Sequence, residues 1–61
     1  MPEILVHIVE GRSFESKKAL MRDITEAVVK NFNVAPERVV VQIVESARSS
    51  KMRGGVAFDE M

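Results

Sequence analysis

Ile4-Leu5-Val6-His7-Ile8-Val9 is an unbroken run rich in β-branched residues, and it stops at Glu10-Gly11-Arg12-Ser13. Such a run reads as a strand covered on both faces, the habit of parallel sheets and of interfaces. Downstream, Ser13 is placed to cap a helix, and Glu15 in its first turn complements the helix dipole. From Phe14 to about Asn31, Leu20, Ile24, Ala27, Val28 and Phe32 recur at helical spacing, with Lys17, Arg22, Glu26 and Lys30 among the polar positions. Asn33 and Ala35-Pro36-Glu37 punctuate the end. A second β-branched run follows, Val39-Val40-Val41-Gln42-Ile43-Val44. Two strands joined by one amphipathic helix make a β-α-β unit, whose strands should be parallel and its crossover right-handed. Ser46 to Lys51 reads as a polar loop, and Gly54-Gly55 before Val56-Ala57-Phe58 marks a short hairpin or edge strand. The expected class is α/β: a single β-α-β unit with a short C-terminal hairpin, over residues 1–61 as one domain.

Sixty-one residues bound what that unit can do alone. A core this small supplies about 3–5 kcal/mol unless something staples it. With no Cys and one His, disulfides, thiolate metal sites and a self-contained zinc site are excluded, and no cofactor is expected. Nine Lys+Arg balance nine Asp+Glu, so no electrostatic footprint for nucleic acid or an anionic membrane exists. No apolar run approaches the roughly 20 residues of a membrane span, and the N-terminus has no basic region followed by an apolar one. A cytoplasmic location is expected. Because a two-stranded sheet with one helix is not self-sufficient, one sheet face packs on the helix and the other is expected to bury against a second chain.

The usual catalytic motifs are absent. Gly11 stands alone, without the spacing of a phosphate-binding loop. His7 lies inside a strand and reads as a structural, hydrogen-bonded residue; Ser13 reads as a cap. Pro2 is the informative residue. A small residue at this position normally lets aminopeptidase remove Met1, leaving a secondary amine. An α-amino group has a reference pKa of about 7.7–8.0. Apolar neighbours and nearby cations lower it, which makes the amine a general base near neutral pH.

Pro2, the apolar strand, Glu10-Gly11-Arg12-Ser13 and the Lys-bearing helix that follows resemble the 4-oxalocrotonate tautomerase family. The resemblance extends through Lys17-Lys18, Ile24-Thr25-Glu26-Ala27-Val28, Val39 to Glu45 and Gly54-Gly55, essentially the whole chain. It implies a cofactor-independent isomerase acting on a small carboxylated enol or keto acid such as 2-hydroxymuconate, a compound of aromatic degradation. Pro2 would be the catalytic acid and base, and Arg12 would bind the distal carboxylate. A guanidinium fork suits that task because it stays charged and engages a carboxylate with two parallel bonds. Pro2 and Arg12 flank the first strand, roughly 30 Å apart along an extended chain. They can serve one substrate only if Arg12 comes from a neighbouring subunit, in keeping with the family's hexamers, trimers of dimers.

Two family positions differ. The strand-two arginine falls at Val40, and Arg38, read as two residues earlier on the same strand face, is the candidate substitute. The aromatic residue of the family pocket falls at Lys51, leaving Met52 or Phe58 to supply apolar surface. Arg48, Lys51 and Arg53 are candidates for a separate anion site, and Lys51 beside Pro2 would depress the amine pKa. Two alternatives stay open: a hydratase or dehalogenase acting on unsaturated acids, with Glu45 or Glu10 activating water, and a subunit of a hetero-oligomer whose partner supplies the missing arginine.

Overall fold

A computed structural model describes residues 1–61. The chain runs through β1 (Glu3–Val9), α1 (Phe14–Phe32), β2 (Val40–Ser46), β3 (Met52–Arg53) and β4 (Val56–Ala57). Single 3-10 turns lie at Pro36–Arg38, Arg48–Ser50 and Phe58–Glu60. β1 and β2 pair in parallel, from Glu3 opposite Val40 to Val9 opposite Ser46, and β3 and β4 form an antiparallel hairpin. The β-α-β unit with a C-terminal hairpin is therefore the observed architecture. Gly54 and Gly55 close the hairpin with φ of 60° and 83°, the doubly positive pair that a two-residue turn between twisted strands requires. The stretch expected as a polar loop divides differently: Ser46 ends β2, and Arg48–Ser50 is one 3-10 turn.

Side-chain alternation gives the two-stranded sheet two unlike faces. Ile4, Val6 and Ile8 of β1 stand beside Val41, Ile43 and Glu45 of β2. All of these except Glu45 are half-buried, and they meet the helix. α1 turns Lys17, Met21, Ile24 and Val28 inward, each half-buried and spaced three or four residues apart. Lys17 Nζ reaches Glu45 Oε1 at 3.1 Å across this layer. Ile24 and Val28 thus lie where the helical spacing places them, but Leu20, Ala27 and Phe32 remain exposed. The strip that meets only two strands is narrower than the apolar strip the helix carries. Phe14 and Phe32 overhang the sheet because nineteen helical residues run about 28 Å while seven strand residues run about 23 Å.

The opposite sheet face carries Glu3, Leu5, His7 and Val9 beside Val40, Gln42, Val44 and Ser46, and the helix does not cover it; only Val9, Val44 and Ser46 are half-buried there. Leu5 at its centre is 51% exposed. β1 is therefore covered on one face within the chain, not on both. His7 is exposed and its side chain makes no hydrogen bond inside the chain, so the hydrogen-bonded role read from sequence is not fulfilled there. No residue is fully buried, and the chain exposes 4769 Å², where a compact monomer of its mass, 6.8 kDa, would expose about 4,000 Å². The Cα radius of gyration is 14.6 Å against about 10–11 Å for a compact domain of this length.

Candidate functional site

The sequence-derived site residues fall at two ends of the protomer. At one end, Pro2 is half-buried immediately before β1. Its carbonyl accepts a hydrogen bond from the Val40 N–H at 3.0 Å, which fastens the start of β1 to the start of β2. Met1 beyond it is 85% exposed, so its removal disturbs no packing. Val40, 37% exposed, is the strand-two residue nearest Pro2 in the ladder and presents an apolar side chain there.

Arg38 stands at this same end, but not as strand periodicity placed it. Its N–H donates to the Ala35 carbonyl at 3.0 Å, and the Val39 N–H donates to the Pro36 carbonyl at 3.0 Å. These bonds wind Pro36–Arg38 into a 3-10 turn, and β2 begins only at Val40. Pro36 causes this, because its fixed φ suits the first position of a helical turn. Strand alternation consequently does not relate Arg38 to Val40. Arg38 is exposed, without a hydrogen-bonding or ionic side-chain partner in the chain.

At the other end, Gly11 takes a φ of 121°, a value L-residues avoid, and swings the chain out of β1. Ser13 then caps α1, its Oγ accepting from the Ser16 N–H at 3.1 Å. Arg12 sits between these two devices. It lines a cleft of about 490 Å³ with Ile8, Val9, Glu10, Gly11 and Arg48, and it edges a smaller one of about 230 Å³ against α1. Its side chain makes no hydrogen bond or ion pair within the chain, and the positive end of the α1 dipole lies beside it. Seven strand residues alone place about 23 Å between the Pro2 end and the Arg12 end. One protomer does not bring them together.

Arg48 is the residue that sequence reading left in a separate group with Lys51 and Arg53. The pairing of Val9 with Ser46 continues past the strands, where the Glu10 N–H donates to the Ser46 carbonyl at 2.9 Å. The Arg48 N–H donates to Glu10 Oε2 at 3.1 Å. This register carries Arg48 into the cleft of Arg12, thirty-six positions earlier in the chain, and no local motif announces it.

Lys51 and Arg53 are held elsewhere. The Lys51 Nζ and the Arg53 Cζ lie 5.9 and 5.5 Å from the Phe58 ring centroid, within cation–π range. The Phe58 N–H donates to the Lys51 carbonyl at 2.8 Å. The hairpin follows the end of β2 opposite to Pro2, so within one protomer Lys51 is not the neighbour of Pro2. Phe58 is half-buried there, and Met52 is exposed. The two carboxylates considered for water activation also stand at the Arg12 end. Glu45 is paired with Lys17, and Glu10 receives the Arg48 N–H.

Comparison with known proteins bears on the family and the fold. A probable tautomerase of Bradyrhizobium diazoefficiens is 52% identical over 60 residues, 98% of this chain and 90% of that protein. The 2-hydroxymuconate tautomerase of Pseudomonas putida is 38% identical over 55 residues, 90% of this chain and 87% of that protein. Among solved structures, a heterohexamer 4-oxalocrotonate tautomerase from Chloroflexus aurantiacus superposes with a TM-score of 0.90 at 30% identity, covering 100% of this chain and 98% of that one. No helix is long and apolar enough to cross a membrane. The family model described as tautomerase enzyme matches residues 2–61, and with relatives of this identity and coverage the chain belongs to the tautomerase family, as a member of its 4-oxalocrotonate tautomerase branch.

Proposed function

We propose that this isomerase interconverts the enol and keto forms of a small carboxylated substrate such as 2-hydroxymuconate, with no cofactor. Pro2, freed of Met1, is the acid and base: its secondary amine takes the enol proton and returns a proton to the carbon chain. Arg12 binds the distal carboxylate. Arg38 is the cation nearest the reacting end and takes over the carboxylate contact that Val40 does not make. The observation that supports this reading best is the unpaired guanidinium of Arg12 on an open cleft, at the far end of β1 from Pro2.

A six-carbon diacid is far shorter than that separation, so the site is completed between copies of the chain. The assembly is a homo-hexamer, a trimer of dimers. The relative from Chloroflexus aurantiacus is a heterohexamer, which makes a two-chain assembly the second reading, favoured here by Val40 at the family's arginine position.

The test is ketonisation of 2-hydroxymuconate, followed by ultraviolet absorbance, by the Met1-processed protein beside Pro2→Ala. Loss of about 10²–10⁴-fold in kcat, the usual contribution of a positioned acid or base, is expected with the assembly unchanged. A Pro2→Ala protein as active as its parent overturns the proposal. A Pro2 protein that turns over only when mixed with a homologous chain selects the two-chain assembly.

A further inference from the structure

The cleft beside Arg12 holds a second cation that the reading above does not use. Arg48 is fastened at both its main chain and its side chain. Its N–H donates to Glu10 Oε2 at 3.1 Å, which ties it to the turn after β1. Its Nη2 donates to the Phe58 carbonyl at 3.1 Å, which ties the guanidinium to the end of the hairpin. A guanidinium has five N–H donors in a planar fork, so one bond to a carbonyl leaves most of them unspent, and none of these has a partner in the chain. The same cleft of about 490 Å³ is lined by Ile8, Val9, Glu10, Gly11, Arg12 and Arg48. Two arginines and one glutamate line it, and one carboxylate oxygen of Glu10 already accepts the Arg48 N–H. The balance is positive, and the start of α1 adds its dipole to it.

We propose that Arg48 is a second substrate-binding arginine, which with Arg12 forms a two-guanidinium subsite for the distal carboxylate of a dicarboxylate. The proposal rests on the tautomerase reading for the identity of the ligand and adds Arg48 to the residues that hold it. The distribution of charge gives the reason. Val40 leaves the reacting end without a strand arginine, while the distal end carries two arginines, so the recognition of substrate is concentrated on the carboxylate remote from the chemistry. A side chain already anchored by a hydrogen bond loses less rotamer freedom when it binds, which favours Arg48 over an unanchored surface arginine.

Binding of (E,E)-muconate, a diacid without the enol hydroxyl, tests this independently of turnover. Calorimetric titration of the assembled protein is expected to give a Kd raised roughly tenfold to a hundredfold in Arg48→Gln, the range for a lost charge-assisted hydrogen bond. Arg48→Lys, which keeps the charge and loses the fork, recovers part of the affinity. Sedimentation velocity reports whether the assembly persists. Unchanged muconate affinity in Arg48→Gln overturns the proposal. So does a loss of affinity that accompanies a smaller assembly, because Arg48 then acts only by holding the hairpin. If 2-hydroxymuconate is not turned over but muconate binding still depends on Arg48 and Arg12, the activity reading fails and the subsite stands. If turnover depends on Pro2 while muconate binding ignores Arg48, the subsite fails and the activity stands.

Discussion

Gly11 and Ser13 determine where Arg12 stands, and each does so by a different physical means. Gly11 adopts a φ of 121° with nothing within 4 Å of where a Cβ would lie, so the obstacle to a side chain is backbone conformation, not space. Gly11→Ala is expected to re-aim the turn and raise KM for a diacid substrate several-fold, measured by steady-state kinetics; an unchanged KM would show that the turn does not position Arg12. Ser13 satisfies the Ser16 N–H, one of the orphan donors of a helix start. Ser13→Ala is expected to destabilise the protein by about 1 kcal/mol per chain, read from urea unfolding. The residue types at both positions are legible in sequence, because capping and positive φ are local properties of the chain. The companion of Arg12 is not legible, since Arg48 arrives through strand register.

At the scale of elements, the layer between α1 and the sheet is held by half-buried apolar side chains and one ion pair. Lys17 and Glu45 are 22% and 36% exposed in their side chains, so water screens the pair and its contribution is small. Glu45→Gln is expected to cost about 0.5 kcal/mol or less and to leave turnover of 2-hydroxymuconate within about twofold. A much larger loss of activity with intact stability would return Glu45 to the chemistry. The end of α1 is set by Asn33, at φ 55° and ψ 49°, whose N–H donates to the Val29 carbonyl. Asn tolerates this left-handed conformation and β-branched residues do not. Asn33→Val is therefore expected to cost about 1–2 kcal/mol in thermal or urea unfolding, whereas Asn33→Gly is expected to cost nothing or to stabilise. The same region shows how a strand reading goes astray. The valine run beginning at Val39 suggested a strand that includes Arg38, and Pro36 instead imposed a helical turn that holds Arg38 out of the ladder.

On the scale of the whole molecule, the chain exposes more surface and spreads wider than a compact domain of its length, 43 × 22 × 14 Å along its principal axes. Leu5, His7, Val9, Val40 and Val44 lie on one open sheet face, and Leu20 and Ala27 lie on an uncovered flank of α1. An isolated protomer with no fully buried residue lacks the apolar burial that offsets chain entropy. Leu5→Asp, which places a charge at the centre of the open face, is expected to abolish assembly and with it cooperative unfolding, as judged by sedimentation velocity and circular dichroism. A variant that keeps the parental size would show that this face is not an interface. Loss of turnover alongside loss of assembly is also expected, since the proposed site needs Pro2 and Arg12 from different chains.

The sequence by itself determined the elements: the two β-branched runs, the helix between them with its cap at Ser13, the double-glycine hairpin turn, and the resemblance that rests on Pro2 and Gly11-Arg12-Ser13. Each of these depends on interactions among residues close in the chain or on a repeating pattern of apolar positions, which a sequence displays directly. It also determined that the unit was too small to bury both faces of its sheet. Only the tertiary structure decided which cations share a cleft. Parallel pairing of β1 with β2 delivers the segment after one strand next to the segment after the other, and so joins Arg48 to Arg12 while leaving Lys51 and Arg53 on the Phe58 ring. Tertiary structure alone also decided that Glu45 faces the helix. These outcomes depend on the register of strands and the packing of layers, which are set by contacts between residues far apart in the chain.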